Sequence, residues 1–399
     1  MLSLIISVRR AVFLRQADEK KEGHVMKAKN RSVIRSAAAV LTLALAAAGC
    51  GAKPGNTTHP ADSPAESVAS TGKSVGIAFP SDETERWKTE GEWLAKRFTS
   101  RGYEAKLIYS GGQADRQAKD LASLISGGVS LLIVAPVNAE KLSDPLAAAR
   151  EAGIPVLSYG SVIRNSDAVT CAVLPDSRQM GVLQAQSVIS ALGVSKDENA
   201  KVSRIELAAG PAEDPQTALL YDGIYSTLEP YLSAGSLKVP SGEVRLADVS
   251  ADSQEEAESR MEQILKSDYG KDTALAAVLG GTDESARGVI RAVSRSYRGK
   301  NDVIVTGSGT DSSSLKELEN GDQTMSAYVD TQNEAIAASD VGLSLMTEES
   351  TDSYLIEKSG WSFSCRYDTT DIDGGKGVIP SFLIGPVKVT KKNAASVMQ

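Results

Sequence analysis

From residue 74 onward the chain alternates short apolar runs with segments of helical period, and no other feature of it restricts the fold as strongly. Strand-like runs begin at "SVGIAF" (74), "EAKLIY" (104), "VSLLIVA" (129), "PVLSY" (155), "VSRIELAA" (202), "EVRLADV" (243), "LAAVLG" (275) and "DVIVTG" (302). Between them lie helical stripes. Trp87, Gly91, Leu94, Ala95 and Phe98 make one, Ala118, Leu121, Ala122 and Ile125 a second, and Ala257, Met261, Ile264 and Leu265 a third. Gly102, Gly127 and Gly153 stand where helices should stop. Apolar strands alternating regularly with helices imply parallel sheets covered on both faces. There are too many strands for one small sheet, and the length suits two. The alternation breaks near 172 to 176, after "QTMSAYVDT" (323 to 331) and near "VIPSFLIGPVKVT" (378 to 390). Three breaks predict three crossings between two lobes, one of residues 74–172 plus 330–380 and the other of 173–329 plus 381–399.

What precedes residue 74 reads as export machinery. "SAAAVLTLALAAA" (36 to 48) is too short for a bilayer core, which needs roughly twenty apolar residues, and has the length of a signal-peptide core. Lys27, Lys29, Arg31 and Arg35 precede it, and "AAAGC" ends it at Cys50. This is the expected pattern of a signal cleaved before a cysteine that then carries lipid, with Ala47 departing from the Leu usual three positions before it. Met26 is the better start, because the charges of "ADEKKEGH" (17 to 24) serve no signal peptide. Residues 51 to 73 are rich in Pro, Ser, Thr, Gly and Ala without periodicity, as in a flexible tether.

Setting aside residues 1–49 leaves 34 of the 43 basic and 48 of the 51 acidic residues, a net charge of about −14. Such a surface is repelled by phosphate backbones, so no nucleic-acid partner is expected. The only two histidines, His24 and His59, precede the folded body, which therefore cannot build a Ser-His-Asp or Cys-His site or an ordinary zinc site. No enzyme, cofactor or metal is expected. Cys171 and Cys365 remain as either a disulfide of an exported protein or two separately buried thiols. "GSGTDS" (307 to 312) imitates a dinucleotide loop but has Ser312 at the third glycine position. "DTTDIDGG" (368 to 375) suggests a calcium loop, yet Pro380 stands where a bidentate Glu is required, and a solvated loop is the better reading.

The stretches "ETERWKTE" (83 to 90), "LISGGVSLLIVAPVNAEKL" (124 to 142), "AAREAGIPVLSY" (148 to 159), "NGDQTMSAYVDT" (320 to 331) and "GVIPSFLIGPVKVTKKN" (377 to 393) resemble the type I periplasmic sugar-binding proteins, in particular the xylose and multiple-sugar branch. The resemblance implies an α/β fold of two Rossmann-like parallel-sheet lobes joined by a three-crossing hinge. It also implies a monomer that closes on a small polar solute and presents it to an ABC permease, held by its lipid outside a Gram-positive membrane. The ligand-binding candidates it carries over are Arg86, Trp87, Asn138, Ser161, Gln216, Thr282, Asp283, Thr310 and Asp311. Several positions depart from the pattern. Gly160 and Ser161 replace an Asp-Arg pair, Thr282 an Asn, Gly309 an Asp, Val329 a Lys or Gln, and Pro215 and Gln216 an Asn-Asn pair, while the second stacking Trp has no counterpart at 250 to 253. The expected cleft keeps its scaffold and loses much of its sugar-gripping chemistry. A solute carrier for an importer and a lipid-anchored sensor signalling to a kinase or chemoreceptor therefore both stand as expectations.

Overall fold

The computed structural model describes residues 70–197, 201–270, 273–310 and 312–398. The expected signal segment, Cys50, most of the tether and Asp311 lie outside these. The elements run β1 (Ser74–Phe79), α1 (Glu85–Thr99), β2 (Glu104–Tyr109), α2 (Ala114–Ser126), β3 (Leu131–Val134), α3 (Ser143–Glu151), β4 (Val156–Tyr159) and β5 (Val169–Pro175). Next come α4 (Ser177–Leu192), β6 (Ser203–Leu207), α5 (Pro215–Ser233), β7 (Leu237–Lys238), α6 (Leu246–Val249), α7 (Gln254–Asp268), β8 (Ala277–Leu279), α8 (Asp283–Ser296), β9 (Ile304–Gly309), α9 (Leu315–Asn320) and β10 (Met325–Tyr328). The chain ends with α10 (Thr331–Met346), α11 (Ser353–Ser359), β11 (Cys365–Asp368), β12 (Ser381–Ile384), β13 (Val387–Val389) and α12 (Ala394–Val397).

Two sheets result. The first has strand order β11-β12-β5-β4-β3-β1-β2, the second β13-β10-β9-β8-β6-β7, and all pairings are parallel except β11 with β12 and β10 with β13. The fully buried runs of β1, β3 and β4 are covered on both faces: Leu94 and Phe98 of α1 pack on one side, and Leu121, Leu124 and Leu146 on the other. Three crossings link the sheets, at Pro175–Ser177, Tyr328–Thr331 and Ile384–Val387. The second spans the 329/330 boundary expected from sequence, and the first and third fall a few residues beyond theirs. Val173–Pro175 and Ser381–Ile384 stay in the first sheet because β5 and β12 pair over their whole common length.

Other expectations need correction. "EVRLADV" is not a strand: Leu246–Val249 is one helical turn, and the edge strand is Leu237–Lys238. The buried face of α2 is Gln117, Leu121 and Leu124, rotated from the expected stripe because Gln117 turns inward to bond Ala135 O and Val137 N. The tether does not run to residue 73, since Thr71 N already donates to Gly102 O at 2.9 Å. Cys171 and Cys365 are unbonded thiols. They sit two strands apart, and the register aligns Cys365 with Ile384 and Ile384 with Pro175, four residues along β5 from Cys171. At about 3.3 Å per residue that offset alone exceeds the reach of a disulfide. The acidic loop after β11 is strapped by Arg366, whose guanidinium bonds Asp176, Asp368 and Asp371. Asp368 and Asp371 are thus engaged by that cation, while Asp373 accepts from Gly375 N.

Candidate functional site

The carboxyl ends of the two sheets face each other across a cavity of about 360 Å³. This is where open parallel sheets place ligands, because loops and helix N-termini converge there. From the first lobe come Arg86, Trp87, Gly160 and Ser161, and from the second Ser177, Asp214, Gln216, Thr282, Ser308 and Thr310. Trp87 is the aromatic residue of the lining, and two fully buried rings back it. Phe79 at the end of β1 stacks on Tyr159 at the end of β4 with centroids 5.3 Å apart, and Trp87 meets both rings edge-on. Trp87 thus joins the hydrophobic core and lines the cavity at once.

Arg86 is held on every edge. Its Nε donates to Glu90 Oε1 at 3.0 Å, its Nη2 to Glu334 Oε2 at 2.9 Å, and its Nη1 crosses the cleft to Thr310 Oγ1 at 2.9 Å. The guanidinium carbon lies 4.4 Å over the Trp87 ring, a cation–π contact. Tyr159 donates its hydroxyl to Glu90 Oε2 at 2.6 Å. Burial works against the Arg86 charge, but Glu334 and Glu90 outweigh it and its pKa rises. Burial pushes Glu334 up to about 8; Arg86 pulls it down and Glu90 pushes it up. Burial, then Glu90, likewise lifts the Tyr159 phenol well above its usual range.

Gly160 has φ +69°, and a Cβ there would lie 3.2 Å from both Arg86 Nη2 and the Trp87 ring. A side chain there would be strained at that φ and would crowd Arg86 and Trp87. The carbonyl of Gly160 accepts from Gln216 Nε2 at 2.9 Å, a second bond between the lobes, while Gln216 Oε1 accepts from Ser177. Asp214 caps α5 by accepting from the Gln216 backbone N.

The structure brings together Arg86, Trp87, Ser161, Gln216, Thr282 and Thr310, but it moves two of the expected ligands elsewhere. Asp283 is buried behind the cleft, where its carboxylate accepts from Ser314, Gln323 and Ser326 at 2.7 to 3.0 Å; it ties α8 to β10 and the start of α9 instead of lining the cavity. Asn138 is exposed in the loop after β3, where its Oδ1 accepts from Glu140 N, and it is not part of the lining. Thr282 lines the cavity, yet its hydroxyl is engaged as the cap of α8, bonded to Ser285.

Sequence reading missed Glu90, Asp214 and Glu334. Glu90 stands four residues after Arg86, a spacing that pairs on a helix. Asp214 before Pro215 is a helix-start signal. Glu334 is 248 residues from its partner, and no local pattern marks it.

The model of the periplasmic binding protein domain family matches residues 75–350. Among curated proteins, the multiple sugar-binding periplasmic receptor ChvE of Rhizobium radiobacter is 32% identical over 332 residues, 81% of this chain and 88% of the relative. The D-xylose-binding periplasmic protein of Escherichia coli is 26% identical over 80% of this chain and 87% of its own. Among solved structures, an ABC transporter solute-binding protein from Clostridium phytofermentans with bound β-D-glucose superposes with TM-score 0.67 at 30% identity, covering 82% of this chain and 97% of that one. With two α/β lobes around a cavity at their sheet ends, and with this span of similarity, the chain belongs to the type I periplasmic sugar-binding proteins, a family of receptors and not of enzymes.

Proposed function

We propose that this protein is the lipid-anchored solute-binding component of an ABC importer, taking a small neutral, hydroxyl-bearing solute into the cleft between its lobes, and that its pocket has diverged from the usual monosaccharide site. The observation that carries this reading is the 360 Å³ interlobe cavity, with Arg86 and Trp87 on one wall and the hydroxyls of Ser177, Thr217, Ser308 and Thr310 on the other. Hydroxyl-bearing side chains opposite the Trp87 ring suit a polyol or sugar derivative, in which apolar C–H faces alternate with hydroxyl groups. A thermal-shift screen across sugars, polyols, nucleosides and amino acids tests it. A hit should also shrink the radius of gyration in solution scattering as the lobes close about the three crossings. A stabilising ligand that leaves the scattering profile unchanged would speak against cleft binding.

Lipid attachment at Cys50 rests on the sequence pattern before it. Protein from native membranes should carry a diacylglyceryl group by intact mass, and Cys50→Ala should leave the membrane fraction; unmodified protein beginning upstream of Met26 would end that reading. One observation favours a sensor or interaction subunit as a second reading. The lobes already bond each other directly, Arg86 to Thr310 and Gln216 to Gly160, so closure can proceed through the protein's own side chains. Genes for a permease and ATPase beside this one support the carrier, and a sensor kinase gene the alternative.

A further inference from the structure

The least accounted-for group near the cleft is Glu334. It is fully buried at the start of α10, immediately after the second crossing, and one carboxylate oxygen, Oε1, has no hydrogen-bond partner among the described residues. Such an arrangement costs free energy unless the other oxygen is doing something useful. That other oxygen holds Arg86 Nη2. The charged and titratable groups facing Glu334 are Arg86 and Glu90 from α1 and Tyr159 from β4.

Two acidic side chains, Glu90 and Glu334, therefore stand behind one guanidinium. Nε and Nη2 are taken from within the first lobe, and the group bonded across the cleft is Nη1, to the Thr310 hydroxyl. Of the five guanidinium N–H groups, two are directed at acidic side chains of the first lobe and a third at a hydroxyl across the cleft, so an entering anion meets a guanidinium that is already countered, where a free arginine would offer an unopposed bidentate fork. Asp214 adds a carboxylate on the opposite wall. We infer that Glu334 is a positioning residue that holds Arg86 toward the hydroxyl of Thr310 and counters its charge, so that the cleft selects neutral polyhydroxy solutes over acidic ones, the more strongly as pH rises. This rests on the cleft being the binding site, as proposed above.

The sign follows from the geometry and the burial of Glu334. Below its elevated pKa, near 8, the side chain is protonated and neutral; above it, a second full negative charge lies behind Arg86 and repels a ligand carboxylate. Arg86 and Tyr159, both displaced upward, keep their charge states across this range.

The test uses matched pairs, D-glucose with D-glucuronate, D-galactose with D-galacturonate and xylitol with D-xylonate. Their affinities are to be measured by ligand-observed NMR and calorimetry on the wild type and on Glu334→Gln. In each pair that binds, the neutral member should bind tighter, and for the wild type its advantage should grow about tenfold between about pH 6 and about pH 9, as expected for one added charge several ångströms away. Glu334→Gln, which mimics the protonated acid, should show no such growth. An acid bound as tightly as its neutral partner at the higher pH overturns the inference, as does a variant that keeps the wild-type pH dependence. Should the variant not fold, a flat wild-type ratio overturns it alone. If neither member of any pair binds, the cleft-binding reading itself falls, an outcome distinct from binding without charge discrimination.

Discussion

Titrated into the lipid-free protein, D-xylose, D-glucose, D-galactose and L-arabinose should all bind more weakly than about 1 μM, a level at which binding corresponds to about 8 kcal/mol. Three positions at which the family pattern places charged or amide groups offer none here. Ser161 presents a hydroxyl, Gly309 nothing, and Val329 is fully buried. Gly309 cannot simply be restored to an acid: a Cβ there would lie 2.6 Å from Asp283 Oδ2, and Asp283 is fixed by Ser314, Gln323 and Ser326. Each hydrogen bond to a charged partner contributes about 1.5 to 3 kcal/mol, so three of them, taken as additive, amount to about 4 to 9 kcal/mol, or roughly three to six decades in affinity. Arg86 does not make up the loss, because Glu90 and Glu334 already occupy two of its nitrogens. Calorimetry is the direct check, and micromolar or tighter binding of any of the four would show that other groups have rebuilt the site.

The same residues show what could be read from sequence and what could not. Strand and helix alternation is a local signal, and the apolar runs beginning at 74, 129 and 155 contain the fully buried strands β1, β3 and β4. "EVRLADV" failed because alternation over so few residues does not distinguish a strand from a single helical turn. Site residues carried over by motif arrived at the cleft when their backbone position alone decided the matter, as for Arg86, Trp87 and Gln216. Asp283 did not, since a carboxylate at a helix start can turn either into the cleft or toward the neighbouring strands, and three donors behind it decided the direction. Cys171 and Cys365 could be placed only by strand register, which depends on pairing between segments about two hundred residues apart. Glu334 was invisible for the same reason: its meaning lies in a contact with α1, and nothing in "DTQNEAIAAS" (330 to 339) announces it.

Replacing Gly181 with alanine should cost about 4 kcal/mol, at the upper end of what overpacking produces. A Cβ on Gly181 would sit 2.0 Å from Leu220 O and 2.8 Å from Ile224 N, and one on Gly223 would sit 2.1 Å from Arg178 O. Both obstacles are backbone, so no side chain can swing away; α4 and α5 must separate or tilt. Alanine's better helix propensity recovers only about 1 kcal/mol. Separation would also reach the cleft, because the first turns of these helices carry Ser177 and Gln216, which bond each other and, through Gln216 Nε2, hold Gly160 of the other lobe. Urea unfolding of wild type and Gly181→Ala, followed by circular dichroism, gives the difference. A loss below about 1 kcal/mol would mean that the helices yield freely, and that their close approach does not fix where Gln216 meets the opposite lobe.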